Sequence, residues 1–166
     1  MSIKTASVTL DGDRSRFVGR TGSGHELIID DSAGDTGPRP SELVPLALAA
    51  CTAMDVIAIL RKKRQDVSRY EVRANATQRE QTPTVFTRID LVHEVEGTDV
   101  DIEAVRRAIE LSATRYCTVG STLSTGVTEI HHAYVVTDGG GARHTGEVVV
   151  LGPEGKVAVL SPVATA

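Results

Sequence analysis

One long apolar stretch near the middle of the chain limits the folds that this sequence can adopt. Residues 43–60 contain 15 apolar residues in 18, and the basic run Arg61–Arg64 follows them. Ser41 is a suitable helix cap, Glu42 suits the positive end of a helix dipole, and Pro45 is tolerated in a first turn. The sequence therefore predicts a helix over 41–64 that is apolar on nearly every side. Such a helix must be enclosed, and we expect its own sheet and a second subunit to enclose it.

A membrane-spanning helix is the alternative interpretation of the same stretch, since a basic flank follows an apolar run of suitable length. Asp55 would cost roughly 2.5–3.5 kcal/mol near the centre of a bilayer, and Pro45 shortens the usable run. Much of the apolar content is alanine, which contributes little to membrane insertion. A core helix covered by sheet is the better interpretation, and we expect no membrane partner.

The segments on either side of this helix have the short alternating patterns and turn residues that are typical of strands. The expected strands cover 3–10, 16–20, 25–30, 69–78, 85–95, 127–137, 147–151 and 156–160. A second helix begins at Asp99 or Asp101 and continues to Tyr116, as the spacing of its apolar residues indicates. Because helices and strands do not alternate, the order predicts the α+β class with an antiparallel sheet.

A glycine-rich linker divides the chain near its end. The linker, Asp138-Gly139-Gly140-Gly141, predicts a main domain over 1–138 and a C-terminal β-hairpin extension over 139–166. A hairpin in this position is suited to covering the edge of a sheet.

Composition and motifs argue against several classes of function. The net charge of −4 provides no basic field for nucleic acid, and the absence of Trp removes the usual base-stacking platform. The chain contains no Walker loop, dinucleotide fingerprint or hydrolase nucleophile motif, so we expect no cofactor. His131 and His132 are adjacent and would point to opposite faces of a strand, so we expect no metal site.

Two cysteines carry the clearest chemical signal in the sequence. Cys51 lies within the apolar helix, and Cys117 follows the second helix in a segment rich in Thr, Ser and Gly. The N-terminus lacks the apolar core of a secretory signal, so we expect a cytoplasmic protein, in which cysteines are more often free or redox-active than structural. Cys51 by itself is typical of core packing. Cys117, in its polar segment, indicates a chemical partner for Cys51.

A reactive cysteine requires stabilisation of its thiolate, because an ordinary thiol with a pKa near 8.5 is only about 3% ionised at pH 7. The candidate cations are Arg14, Arg16, Arg20 and Arg115, and their spacing in the sequence does not choose among them. Asp55 follows Cys51 by four residues and shares its helix face. A carboxylate there would disfavour the thiolate unless it holds an arginine in place.

Several segments of the chain form one larger pattern. They are Phe17-Val18-Gly19, Gly24-His25, residues 37–43 (GPRPSEL), 49–56 (AACTAMDV), 59–64 (ILRKKR), 108–112 (AIELS) and 116–119 (YCTV). Together they resemble the OsmC/Ohr family, and within it the YhfA-like branch. The resemblance covers roughly residues 5–137, and both cysteine contexts, their separation and the strand order agree with it.

The resemblance implies an OsmC-like fold, in which an antiparallel sheet wraps two central helices of an intertwined homodimer. It also implies a stress-response peroxidase in which Cys51 attacks an organic hydroperoxide and Cys117 resolves the sulfenic acid as a disulfide. Arg16 or Arg20 would accompany the thiolate, and Glu42 would be the activating acid. A dithiol reductant, either lipoyl-based or thioredoxin-like, would restore the thiols.

The chain departs from the family pattern ahead of the helix. The family's activating glutamate lies ten residues before the helix cysteine, where this chain has Ser41, whereas Glu42 lies nine before it. The departure favours a second hypothesis, a non-catalytic dimer that keeps the fold and binds an apolar ligand or a protein partner. In that case Cys51 serves mainly in packing.

Overall fold

A computed structural model describes residues 2–161 of the chain. Contacts within the chain define two compact units, Met1–Val44 and Pro45–Ala166. The last five residues of the predicted C-terminal extension, 162–166, lie outside the described residues. The predicted domain boundary at residue 138 stays a prediction.

The first unit contains a three-stranded antiparallel sheet in the order β1-β2-β3. Its strands are β1 (Ala6–Leu10), β2 (Phe17–Thr21) and β3 (Glu26–Ile29). β1 begins at Ala6 rather than at Ile3 because its partner strand ends at Thr21, the residue opposite Ala6. Gly24 has a φ of 87°, which a glycine adopts without strain and which lets β2 turn tightly into β3.

The apolar stretch forms the helix α1, Leu43–Lys62, directly after one 3-10 turn, Pro40–Glu42. α1 ends where Arg64 takes the left-handed conformation with a φ of 57°. The Gln65 N–H then donates to the Leu60 carbonyl at 3.0 Å, so that a carbonyl of the last turn has a partner.

One face of α1 is buried and the other is not. The buried residues are Leu48, Ala49, Thr52, Val56 and Leu60. Leu46 and Met54, by contrast, are 59% and 73% exposed. Within residues 2–161, this is also the one helix that is long and apolar enough to cross a membrane, a property that core helices of soluble proteins share.

The second unit contains a five-stranded sheet in the order β4-β5-β6-β7-β8. Its strands are β4 (Asp66–Gln78), β5 (Phe86–Thr98), β6 (Glu129–Thr137), β7 (Arg143–Leu151) and β8 (Val157–Val159). Neighbouring strands are antiparallel except for β5 and β6, which are parallel. The α+β class is confirmed. The expectation of a purely antiparallel sheet is wrong at this pair, because the chain between the two strands crosses over through helices instead of a hairpin turn.

The crossover between β5 and β6 consists of three helical pieces. They are α2 (Ile102–Leu111), one π-helical turn (Ser112–Tyr116) and α3 (Thr118–Ser124). Asp101 caps α2, since its carboxylate accepts a hydrogen bond from the Glu103 N–H at 2.9 Å. The predicted continuous helix up to Tyr116 is wrong in its last turn, because residues 112–116 are π-helical instead of α-helical. The helix after Cys117 was not expected.

β7 and β8 extend the sheet beyond β6 and are joined by a turn at Pro153–Gly155. The Arg106 guanidinium on α2 donates to the Leu160 carbonyl at 2.8 Å, and the Leu160 N–H donates to the Val148 carbonyl at 2.8 Å. These bonds fasten the end of the hairpin to α2 and to β7.

Candidate functional site

The two cysteines are neighbours within the second unit, although 66 residues separate them in the sequence. Cys51 lies on α1 and is partly buried, whereas Cys117 is 1% exposed. Cys51 packs against the apolar cluster that contains Cys117, and both residues are free thiols. The fold thus brings together the two sulfur atoms that the sequence singled out.

The π-helical turn determines the position of Cys117. The Cys117 N–H donates to the Ser112 carbonyl five residues earlier, at 2.8 Å, which closes the wide turn. Cys117 then caps α3, because its Sγ accepts the Gly120 N–H at 3.3 Å. A Cβ on Gly120 would lie 3.4 Å from Cys117 Sγ and 3.5 Å from Leu48 Cδ1, in van der Waals contact with both, so only a side chain larger than that of alanine would crowd the sulfur. Single π-helical turns of this kind occur often at functional sites.

The surroundings of Cys117 favour the neutral thiol. Burial raises the pKa of Cys117 to about 12, and the Gly120 N–H opposes that rise only in part. Cys51 and the Asp55 carboxylate contribute to the same rise. At neutral pH, Cys117 is therefore protonated.

Asp55 joins the two cysteine-bearing segments through a short polar chain. Ser112 Oγ lies 2.9 Å from Asp55 Oδ2 and 3.0 Å from Thr52 Oγ1. Thr52 and Asp55 belong to α1, the helix of Cys51, and Ser112 begins the π-helical turn that leads to Cys117. The carboxylate is held by a hydroxyl, and the sequence alone did not suggest Ser112 as its partner.

A second polar chain lies inside the sheet of the second unit. Tyr70 Oη lies 2.8 Å from His93 Nδ1, and His93 Nε2 lies 3.4 Å from His132 Nδ1. Both imidazoles are fully buried, and burial lowers the pKa of His93 well below its usual value and that of His132 to about 4. Burial likewise raises the pKa of Tyr70, and the charge of Asp55 adds to the rise. His131 instead lies on the opposite face of β6 and bonds to Glu129.

The predicted activating residues Arg16, Arg20 and Glu42 belong to the first unit, and each has a polar partner there. Arg16 pairs with Asp11 and donates to Thr36 Oγ1 at 3.1 Å. Arg20 Nε donates to Glu26 Oε1 at 2.7 Å.

Glu42 forms its ion pair with Arg39, a residue that the sequence reasoning missed. The Glu42 carboxylate accepts the Arg39 backbone N–H at 2.8 Å and the Arg39 guanidinium at 2.9 Å. These two bonds lower the pKa of Glu42. The spacing of three residues around Pro40 is typical of a capping box, and this signal could have identified the pair.

Residues on either side of Cys117 line a surface pocket of about 420 Å³. Its walls carry a guanidinium and hydroxyl groups, from Arg115, Tyr116, Thr118, Ser121, Thr122 and Thr125. Arg115, one of the candidate cations, is exposed at this pocket.

Neighbouring thiols can carry two electrons by exchanging between the dithiol and the disulfide. The two cysteine residues differ in exposure, since Cys51 is partly buried and Cys117 is buried. Among residues 2–161, no group of three His, Cys, Asp or Glu side chains is arranged to hold a metal ion.

Comparisons with known sequences give a consistent result. The family model described as OsmC-like protein matches residues 32–131. Protein YhfA of Escherichia coli K12 is 43% identical over 120 residues, which are 72% of this chain and 89% of that protein.

Solved structures share the fold. A hypothetical protein from Aquifex aeolicus VF5 matches with a TM-score of 0.74 and 25% identity, over 83% of this chain and 98% of that one. An organic hydroperoxide resistance protein from Elizabethkingia anophelis matches with a TM-score of 0.58 and 17% identity, over 83% of this chain and 97% of that one. These structures confirm the expected fold.

Proposed function

Because this chain belongs to the OsmC-like protein family, we propose that it is a cysteine-based reductase of organic hydroperoxides. The observation that carries the proposal is the pair of neighbouring free thiols with unequal exposure, Cys51 and Cys117. The name of the Elizabethkingia protein supports the choice of an organic hydroperoxide as the substrate.

The reaction begins at Cys51, the more accessible sulfur. Its thiolate attacks a peroxide oxygen, the S–O bond forms as the O–O bond breaks, and the alkoxide takes a proton and leaves as an alcohol. Cys51 is oxidised to a sulfenic acid, and the hydroperoxide is reduced. Cys117 then attacks the Cys51 sulfur, so that an S–S bond replaces the S–O bond and water leaves.

An external dithiol closes the cycle by supplying two electrons and two protons, which return the disulfide to two thiols. A lipoyl-based or thioredoxin-like reductant has this chemistry. The surface pocket beside Cys117, which Arg115 and neighbouring hydroxyl-bearing residues line, is a suitable place for such a partner to approach.

The proposed activating group is Arg16 or Arg20, with Glu42 as the supporting acid. Each guanidinium has a carboxylate partner in the first unit, Asp11 for Arg16 and Glu26 for Arg20. A guanidinium within reach of the Cys51 sulfur would favour its thiolate.

We also propose that the protein is a cytoplasmic homodimer. The exposed apolar side chains of α1, Leu46 and Met54, support a second copy as the cover of this helix. Two free thiols support a reducing compartment.

The function is tested with reduced protein and cumene hydroperoxide. We expect the wild-type chain to lose both free thiols and to consume one peroxide per disulfide formed. Cys51→Ser should consume no peroxide, and Cys117→Ser should stop at a sulfenic acid that dimedone traps. Retention of both thiols by the wild-type protein at a peroxide excess would contradict the proposal.

A non-catalytic dimer that binds an apolar ligand or a protein partner is the second candidate. It is favoured by the pairing of Glu42 with Arg39 instead of with Arg16 or Arg20. Native mass spectrometry of the purified dimer decides between the two, because a co-purified apolar molecule together with unreactive thiols supports this candidate.

A further inference from the structure

We propose that the C-terminal hairpin, which consists of β7, β8 and the turn between them, positions the Cys117 thiol through two contacts with α3. Leu151 at the end of β7 makes one contact, and the Glu154 N–H in the turn makes the other. The inference rests on the proposed function, since it gives both residues a part in the resolving step. The hairpin lies wholly outside residues 32–131, which the family model matches, so the family resemblance assigns it no role.

The first contact is apolar and lies beside the Cys117 sulfur. The position of a Cβ on Gly120 is 3.4 Å from Cys117 Sγ and 3.7 Å from Leu151 Cδ1. The same position is 3.5 Å from Cδ1 of Leu48 on α1, and both leucines are buried. Gly120 also provides the N–H that donates to Cys117 Sγ at 3.3 Å. A change that loosens the packing on Gly120 therefore loosens the donor that holds the sulfur.

The second contact is a hydrogen bond just beyond the other end of α3. The Glu154 N–H donates to the Gly126 carbonyl at 3.0 Å, two residues after α3 ends at Ser124. Glu154 has a φ of 60°, in the left-handed region that residues other than glycine rarely adopt. Such a conformation persists where the surrounding structure fixes it, and here the Gly152 N–H closes the turn by donating to the Lys156 carbonyl at 2.6 Å.

The helix α3 needs support from its neighbours, and the hairpin is fixed firmly enough to give it. α3 has only seven residues, mostly Thr, Ser and Gly, which are weak helix formers. β7 pairs with β6 from Ile130 to Thr137, and the buried Arg106 guanidinium donates to the Leu160 carbonyl at 2.8 Å. The sheet and α2 thus hold the hairpin, and the hairpin and α1 hold α3.

Support of α3 matters for the resolving step because Cys117 must meet the Cys51 sulfur. A reacting group that is held near its partner has a high effective concentration. If α3 loosens, Cys117 spends less time in this place, and the sulfenic acid on Cys51 persists for longer. The same loosening exposes a thiol that is 1% exposed in the folded protein. A weaker hairpin contact should therefore slow disulfide formation and speed the labelling of Cys117 by an external reagent.

Leu151→Ala removes the apolar contact and is tested first on the reduced protein. We expect N-ethylmaleimide to modify Cys117 at least about tenfold faster than in the wild type, because buried groups react through local opening. Hydrogen exchange of the Gly120 N–H should accelerate as well, whereas labelling of Cys51 should change little. Leu151→Met, which fills most of the same space, should restore the wild-type rates. Peptide mapping by mass spectrometry measures each thiol separately.

Leu60→Ala is the matched control for a general loss of stability. It is the same substitution at a fully buried position of α1, about 18 Å along the helix axis from Leu48. We expect its Cys117 labelling rate to stay close to that of the wild type. Circular dichroism and thermal unfolding establish that both variants are folded.

Two substitutions of Glu154 test the backbone contact. Proline has no N–H and cannot adopt a φ of 60°, so Glu154→Pro should lose the bond to Gly126 and label faster at Cys117. Glycine keeps the N–H and adopts this φ freely, so Glu154→Gly should match the wild type. Both variants lose the same carboxylate, and the difference between them therefore reports the backbone alone. If Glu154→Pro does not fold, the Leu151 variants decide.

The reaction is then followed in a single turnover with cumene hydroperoxide. We expect Leu151→Ala to consume peroxide at the wild-type rate, to form the disulfide about tenfold more slowly and to accumulate dimedone-trapped sulfenic acid. If the wild type ignores peroxide, the proposed function fails, but labelling and hydrogen exchange still test the hairpin contacts. Equal Cys117 labelling rates for Leu151→Ala and Leu60→Ala, or a wild-type disulfide rate in Leu151→Ala, would overturn the inference.

Discussion

Cys51 and Cys117 have the same side chain in two different surroundings. Cys51 is partly exposed on α1, whereas Cys117 is buried, caps a short helix and accepts a backbone N–H. Burial outweighs that N–H, so Cys117 remains a neutral thiol. The depth of Cys117 in the fold and the nearby Asp55 charge therefore both raise the pKa of its thiol.

Alkylation should distinguish the two thiols directly. With iodoacetamide at pH 7.5, we expect Cys51 to be modified at least about tenfold faster than Cys117, because thiolate fraction and access both limit Cys117. Peptide mapping by mass spectrometry measures both rates. In urea the two rates should become similar, and a folded protein in which Cys117 reacts first would contradict this prediction.

His93 and His132 should make the stability of the fold depend on pH. Both are buried, and burial lowers the pKa of each, to about 4 for His132, whereas the usual value is 6.5. Below pH 6.5 the unfolded chain therefore binds more protons than the folded chain, and the free energy of unfolding falls as pH falls. For His132 alone the loss reaches about 3 kcal/mol at pH 4, at 1.36 kcal/mol per pKa unit.

Urea unfolding between pH 7 and pH 4.5 measures this dependence. Paired acids such as Asp30 and Asp90, whose pKa values are lowered, lose their stabilising effect only below about pH 4, so they do not obscure the interval. His132→Gln should show a shallower slope than the wild type, whatever its stability at pH 7. A wild-type midpoint that does not change over the interval would rule the prediction out.

At the scale of elements, the π-helical turn and α3 are the pieces that build the site. The wide turn places Ser112 beside α1 and delivers Cys117 to the start of α3. Gly120 in α3 lies between the Cys117 sulfur and Leu48 of α1, where a Cβ would contact both. The position of Cys117 thus depends on the π-helical turn, on the start of α3 and on their contacts with α1.

Filling the space at Gly120 should disturb this arrangement. In Gly120→Val the added carbons would meet Cys117 Sγ and Leu48 Cδ1, and we expect a loss of about 1–3 kcal/mol in the free energy of unfolding. Gly126→Val is the matched control, since a Cβ there meets only the Leu123 carbonyl at 3.6 Å. Chemical denaturation compares the two variants, and equal stabilities would show that Gly120 is not a packing requirement.

Apolar spacing and turn residues in the sequence predicted several elements close to where the structure has them. These elements are α1, β2, β4 and β6. α3 was missed because Thr, Ser and Gly are weak helix formers, and its formation depends on the Cys117 cap and on packing. The parallel pairing of β5 with β6 was missed because a strand pattern carries no information about its partner.

The candidate site was predictable to the extent that the family resemblance supplied it. Residue spacing singled out Cys51, Cys117 and Asp55, but the Ser112 partner of Asp55 lies 57 residues away along the chain. His93 and His132 are 39 residues apart, and they meet only because of the register between two strands. Contacts of this length follow from the tertiary fold and leave no local signal.

At the scale of the whole molecule, the exposed side of α1 is an apolar surface that a single chain leaves uncovered. This helix is strongly apolar, and one of its faces is buried. Leu46 and Met54 on the other side are nevertheless largely exposed. Burial of such a surface stabilises association by roughly 25 cal/mol per Å² of apolar area before the entropic cost of assembly. The proposed homodimer removes this surface from water.

A charge on that surface should separate the subunits. We expect the wild-type chain to sediment as a dimer and Met54→Glu to sediment as a monomer, because an unpaired carboxylate in an apolar interface is strongly unfavourable. Val127→Glu, at a position that is 59% exposed outside α1, should remain dimeric. Sedimentation velocity at several concentrations measures both, and a monomeric wild type would contradict the prediction.

The hairpin that follows β6 has a consequence for the behaviour of the protein at high concentration. β7 pairs with β6 from Ile130 to Thr137, but the last strand of the sheet, β8, pairs with β7 only at Val149, Val150 and Leu151. Residues 143–147 of β7 therefore form the part of this border at which a neighbouring polypeptide can add as an extra strand. The hairpin protects only the Leu151 end of β7 against the growth of fibrils.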